Sequence, residues 1–171
     1  LTDKNGNFPK EEWMDELAIA RALHVIGVVI WIGGVSMATT AALPALRHGV
    51  FGPDRLAAFQ AFERRFVWQA RSAVVLVGLS GLFMVMKMDL WSRFSEPGFW
   101  WMHAMVGLWL VFALVLFVAE PLVLHRHFNV WAKRDPEAAF AVLQRVHAVL
   151  LVLGLVTIFG AVAGSHGWSL F

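Results

Sequence analysis

The chain has 171 residues, enough for one domain. Its apolar share of 59%, its charged share of 15% and its mean hydropathy of +0.66 lie well outside the range of water-soluble domains, which argues against a soluble enzyme or a nucleic-acid-binding protein and for a lipid bilayer as the natural surrounding. Cysteine is absent, which removes disulfides, iron–sulfur clusters and thiolate metal sites, and the net charge of +2 matters less than where the charges lie.

"DKNGN" at 3–7 lacks the glycine and closing glutamate of a calcium loop and is set aside. "FPKEEWMDEL" reads as a helix start, with Pro9 and acidic residues in the first turns. Four apolar stretches then follow, each near the roughly 20 residues that cross a bilayer. They cover about 20–45, 66–87, 99–124 and 139–163. "RHGVFGPDR" (47–55), "SEPG" (95–98) and "KRDPE" (133–137) punctuate them. The pattern predicts an all-α protein: one four-span transmembrane domain over 1–171, an integral membrane four-helix up-and-down bundle. Nine Trp and fourteen Phe, with no Tyr, suit aromatic belts at its two surfaces. The chain opens at Leu1 rather than Met, which leaves open whether residues precede it, and no signal peptide is visible.

Orientation follows from the cations. One side carries Arg47, Arg55, Arg64, Arg65, Arg71, Arg126, Lys133, Arg134 and Arg145, and the other Lys4, Lys10, Arg21, Lys87 and Arg93. The richer side is expected to be cytoplasmic, giving an N-out/C-out topology in a bacterial inner membrane.

Ionisable groups within a span are costly and mark function by default. At a rise of about 1.5 Å per residue from each span's centre, His24 and His103 fall about 12 Å and about 15 Å to the outer side. His166, in "GSHGW", falls slightly further out, in the turn that ends the last helix. His147 falls about 12 Å to the inner side, near the depth of Glu120 and Arg71.

Two imidazoles at matching depth on alternate helices, facing the bundle interior, suit axial ligation of a haem b iron, so His24 and His103 are the expected inward-facing ligands, with His166 as a substitute. Gly27 and Gly34 lie on the face of His24, and Gly107 one turn from His103, where small residues would admit a macrocycle. Arg21 stands one turn outward of His24, where a propionate would emerge. Two other readings stay open. Methionines 84, 86, 88, 102 and 105 surround the same layer, and thioether with imidazole suits copper. Histidines and glycines in spans also serve plain hydrogen bonding and helix packing. In the inner layer, Arg71 or Arg145 would neutralise Glu120, Pro121 would loosen the helix, and Glu120, His147 and Arg71 form a candidate proton or quinone site. That layer offers no second imidazole, so one haem is expected rather than two.

"ALHVIGVVIWIGG" (22–34), "FERRF" (62–66) and "WMHAMV" (101–106) together resemble a group of four-helix membrane proteins. The group spans the copper-resistance D-type proteins and the membrane protoporphyrinogen IX oxidases. The likeness covers about three of the four helices and implies that His24 and His103 correspond to family histidines tied to haem. The chain departs from the oxidases at Met105, where they carry lysine, and at "QRVH" (144–147), where they carry an Asn-Glu-x-Pro stretch. The expectation is therefore a membrane b-type cytochrome with one haem near the periplasmic face. It would pass electrons between the quinone pool and a periplasmic acceptor, such as a c-type cytochrome or a respiratory-complex subunit. Copper binding or transport and haem-dependent protoporphyrinogen oxidation stand as alternatives.

Overall fold

The structure, a computed structural model, describes residues 10–168, and within them the side chains of 13–122 and 126–168. The stretch at 3–7 and Pro9 lie outside the described residues. The described chain is helical, with no strand. Six α-helices follow in order: α1 (Lys10–Met37), α2 (Leu43–Arg47), α3 (Arg55–Lys87), α4 (Trp100–Leu114), α5 (His125–Arg134) and α6 (Pro136–Ser165). Two π-helical segments join them without a break, Ala38–Ala42 between α1 and α2, and Val115–Leu124 between α4 and α5.

Four continuous helical runs are long and apolar enough to cross a membrane: Trp13–Arg47, Gly52–Lys87, Pro97–Leu122 and Pro136–Ser165. Their outer surfaces suit lipid rather than water. Val29, Leu79, Leu114, Val152 and Phe159 are all more than half exposed. A soluble monomer does not leave apolar surface of this extent bare.

The ends of the runs are written in local chemistry. α3 stops after Lys87, and Asp89 takes a left-handed conformation (φ 49°), which a short polar side chain tolerates better than most. Glu96 is extended because Pro97 follows it, and the chain turns there into the third span. The α6 start is capped by Asp135, whose carboxylate accepts from Ala138 N–H at 3.0 Å, with Pro136 in the first turn. The α2–α3 turn uses Gly49 and Gly52 at φ 73° and 60°, which side chains resist.

α1 packs along α3 with numbers running in opposite senses. Glu16 meets Lys87, His24 meets Val77, and Gly34 meets Phe66. α3 and the third span are likewise antiparallel, since Trp109 meets Val74 while Glu120 meets Arg71. α4 runs against α6, with Trp100 at Gly160 and Leu108 near Gly154. α1 and α4 are therefore parallel, and they touch where Trp31 and Phe112 meet edge to face at 4.7 Å. Around that contact Val35, Ala73, Val74, Val77 and Leu116 form the main core. A second core at the other end joins Leu43, Leu46, Phe59 and Phe140 beneath α5.

Glycines make the close approaches. A Cβ on Gly78 would lie 2.6 Å from the Trp109 ring, and one on Gly160 2.6 Å from Trp100. Trp101 occupies the space over Gly164 in the same way. By contrast, nothing lies within 4 Å of a Cβ placed on Gly33. Gly78→Ala should therefore lower stability by about 1–3 kcal/mol through overpacking. Gly33→Ala should raise it by up to about 1 kcal/mol through helix propensity. Thermal unfolding of the two variants in detergent checks the opposite signs.

Candidate functional site

The polar groups fall into two sets near opposite ends of the spans, labelled outer and inner after the expected orientation. In the outer set, His24 is half-buried on α1 and turns towards α3. Its Nδ1 lies 3.1 Å from the Val77 carbonyl oxygen and 3.1 Å from Ser80 Oγ. The Ser80 hydroxyl already donates within its own helix, at 2.6 Å to Leu76 O. Both partners of Nδ1 are thus acceptors, so the proton sits on Nδ1 and the Nε2 lone pair is left over. Gly81 makes room for the ring, since a Cβ there would meet His24 Cε1 at 3.2 Å. Fixing one nitrogen through a backbone carbonyl is how metal-ligating histidines are oriented. His147 and His166 use the same nitrogen, but on carbonyls of their own helix, Leu143 O at 2.9 Å and Val162 O at 2.8 Å.

His103 is placed differently from the inward-facing position expected of it. It is exposed, edge-on to Phe94 at 5.4 Å, and lines an open groove of about 600 Å³ with Phe94, Ser95, Glu96, Pro97 and Trp100. The cause is the rotation of the third span. Trp100 and Trp101 lock it to α6, and Trp109 Nε1 donates to Val74 O of α3 at 2.8 Å. The face left over carries His103, Gly107, Leu110 and Leu114, all exposed.

The Trp31–Phe112 contact fixes the relative height of the two histidines. His24 lies seven residues outward of Trp31, and His103 nine outward of Phe112. At about 1.5 Å per residue they differ by about 3 Å in depth. The structure thus brings them to one level but turns their rings in different directions.

The remaining outer residues take structural places. A Cβ on Gly27 would meet Val77 at 2.8 Å, and one on Gly34 would meet Phe66 at 2.8 Å, so α3 fills the room expected for a macrocycle. Gly107 faces open space, with nothing within 4 Å of a Cβ placed there. Arg21 is exposed and points its Nη2 at Met88 Sδ, 3.7 Å away. Met102 is buried at 3% exposure. Among the described residues, no three His, Asp or Glu side chains gather as a metal site. His166 sits in the turn that ends α6, exposed.

In the inner set, Arg71 of α3 reaches the π-helical segment of the third span. Its Nη2 lies 2.8 Å from Glu120 Oε2, and its Nε donates to Leu116 O at 3.0 Å. The second contact has a backbone reason. In π-helical register the N–H of residue 121 would bond the carbonyl of residue 116, and Pro121 has no N–H. Arg71 supplies the missing donor, which matters because unsatisfied backbone groups are costly in lipid. Trp68 and Phe117 flank its guanidinium at 5.9 and 5.8 Å. Arg145 is exposed, and Arg71 pairs with Glu120. The role of Leu116 was missed by sequence reasoning, although a proline five residues after it and a cation in the facing helix were the available signal.

Comparison with family models, curated proteins and solved structures finds no match to this chain.

The inner geometry orders two variants. Arg71→Leu strands the Leu116 carbonyl and removes the cation 2.8 Å from Glu120, whereas Glu120→Gln leaves an acceptor for Arg71. Arg71→Leu should cost about 1–3 kcal/mol, and Glu120→Gln clearly less. Comparison of their melting temperatures in one detergent tests the order.

Proposed function

We propose that the chain is an up-and-down four-helix membrane protein, N-out/C-out in a bacterial inner membrane, that carries one haem b at its outer end. In this reading it passes electrons between the quinone pool and an acceptor or partner subunit on the outer side. The observation that carries the proposal is His24, whose Nδ1 is committed to Val77 O and Ser80 Oγ of a neighbouring helix while Nε2 keeps its lone pair.

The donor types suit haem, since His24 and His103 are two imidazoles at one level, but in this structure His24 faces α3 while His103 faces the groove, so they are not paired across one site. The groove beside His103 falls in the range of about 300–1,000 Å³ typical of ligand sites and is walled by Phe94, Pro97 and Trp100. The glycines do not fit the role expected of them. Gly27 and Gly34 serve packing against α3, so the His24 face leaves no room for a macrocycle, and the open groove beside His103 is not lined by His24.

In the proposal His103 and His24 would hold the iron once the first span presents His24 on the groove side, and the haem would supply a one-electron carrier. What the chain itself does is narrower. The Val77 and Ser80 acceptors hold the His24 tautomer. The tryptophan–glycine contacts hold His103 at the groove. Lipid-facing apolar side chains keep water from the outer layer. Arg71 and Glu120 hold charge at the inner end, where a proton could be exchanged with a quinone. The likeness of "ALHVIGVVIWIGG" and "WMHAMV" to the copper-resistance D-type and protoporphyrinogen oxidase group supports the same two histidines. The copper reading is weakened by Arg21, a cation set against the thioether of Met88.

His24→Ala and His103→Ala should each lose most of the haem that purifies with the chain, and added imidazole should restore part of the spectrum in His103→Ala, whose site is open. His166→Ala should keep it. Haem per chain, read beside a melting curve, makes the test. Wild-type haem content in both histidine variants would refute the ligand assignment.

A further inference from the structure

α5 has two faces with different fates. One is committed to the protein. Phe128 packs on Phe59 at 5.0 Å and Phe140 at 5.7 Å, Asn129 accepts from Gln60 Nε2 at 3.0 Å, and Ala132 is 2% exposed. The other face carries Arg126, His127, Val130, Trp131 and Arg134, which line a groove of about 360 Å³. Arg126, Val130 and Arg134 follow at i, i+4 and i+8, and His127 and Trp131 at i, i+4, so two adjacent ridges form its walls. Arg126 and Arg134 have no ion pair among the described residues. Of the nearby carboxylates, Asp135 is taken up as the α6 cap, and Glu137 is exposed on the first turn of α6.

The level of this groove is set by what flanks it. The third span ends at Leu122 and the fourth begins at Pro136, so α5 lies between two points where the chain enters the apolar layer. Trp131 and Val130 are 40% and 51% exposed there. An exposed tryptophan beside guanidinium groups at this level matches a membrane interface. Guanidinium binds phosphate oxygens in pairs, and the apolar side chains would meet the glycerol and the first acyl carbons.

We propose that this face of α5 is a binding site for an anionic phospholipid of the surrounding leaflet, with Arg126 and Arg134 on the phosphate and Trp131 against the lipid body. The inference stands independently of any haem. It makes α5 a fixed collar, since its inner face is packed into the protein core while its outer face selects the lipid.

Native mass spectrometry of the full chain in detergent tests it, with phosphatidylglycerol, cardiolipin and phosphatidylcholine added in turn. Retention of the two anionic lipids over phosphatidylcholine is expected. The Arg126→Gln/Arg134→Gln double variant should lower that retention by roughly tenfold. Arg64→Gln/Arg65→Gln, which removes the same charge from exposed positions on α3, should leave it nearly unchanged. Trp131→Ala, which keeps all charges, should also weaken it. Equal loss in the two arginine doubles would overturn the site in favour of bulk charge. Displacement of the lipid by inorganic phosphate would overturn it in favour of a free-anion site, and equal retention of phosphatidylcholine would remove it altogether.

Discussion

Tryptophan seated on glycine is the contact on which the arrangement depends. In lipid, apolar side chains gain little by leaving their surroundings, so helices associate through close packing and a few polar contacts. The third span meets this condition on two sides. Trp100 and Trp101 press on Gly160 and Gly164 of α6, and Trp109 presses on Gly78 while donating to Val74 O. These contacts set both the depth and the rotation of the span. They turn the stripe of His103, Gly107, Leu110 and Leu114 outwards, and they leave Phe112 to meet Trp31 in the core. The position of the candidate ligand is therefore a consequence of packing elsewhere on the same helix.

The second constraint is the backbone at Pro121. A proline inside a spanning helix leaves a carbonyl without its donor, and here that carbonyl is Leu116 O. Arg71 closes the gap and is in turn neutralised by Glu120. An ion pair in the membrane is thus tied to a repair of the helix. A group placed for structure in this way still brings a titratable side chain to that end of the span. The outer histidines and the inner pair share α3 and the third span but are held by different contacts, so each can be altered alone.

Much of the fold was legible in the sequence, and the reason is simple. Four long apolar runs with "RHGVFGPDR", "SEPG" and "KRDPE" between them leave few arrangements for a helical chain. The common level of His24 and His103 was also legible, because relative height follows from counting residues along a span. Rotation was not. The helices are apolar around most of their circumference, so periodicity carries little information about which side faces a neighbour. That is why His103 was expected to face inwards and faces a groove. It is also why Gly27 and Gly34, read as room for a macrocycle, prove to be seats for Val77 and Phe66. The continuation of the third span into α5 was hidden for a related reason, since a π-helical segment with a proline in it looks like an ending.

The central claim is that the outer layer is a haem site. A dithionite-reduced minus oxidised absorption spectrum of the purified chain, with haem measured per polypeptide, tests it most directly. The account predicts sharp α and Soret bands at one haem per chain. A featureless spectrum from folded protein, produced with ample haem, would contradict it and leave His24 as a helix-to-helix hydrogen bond.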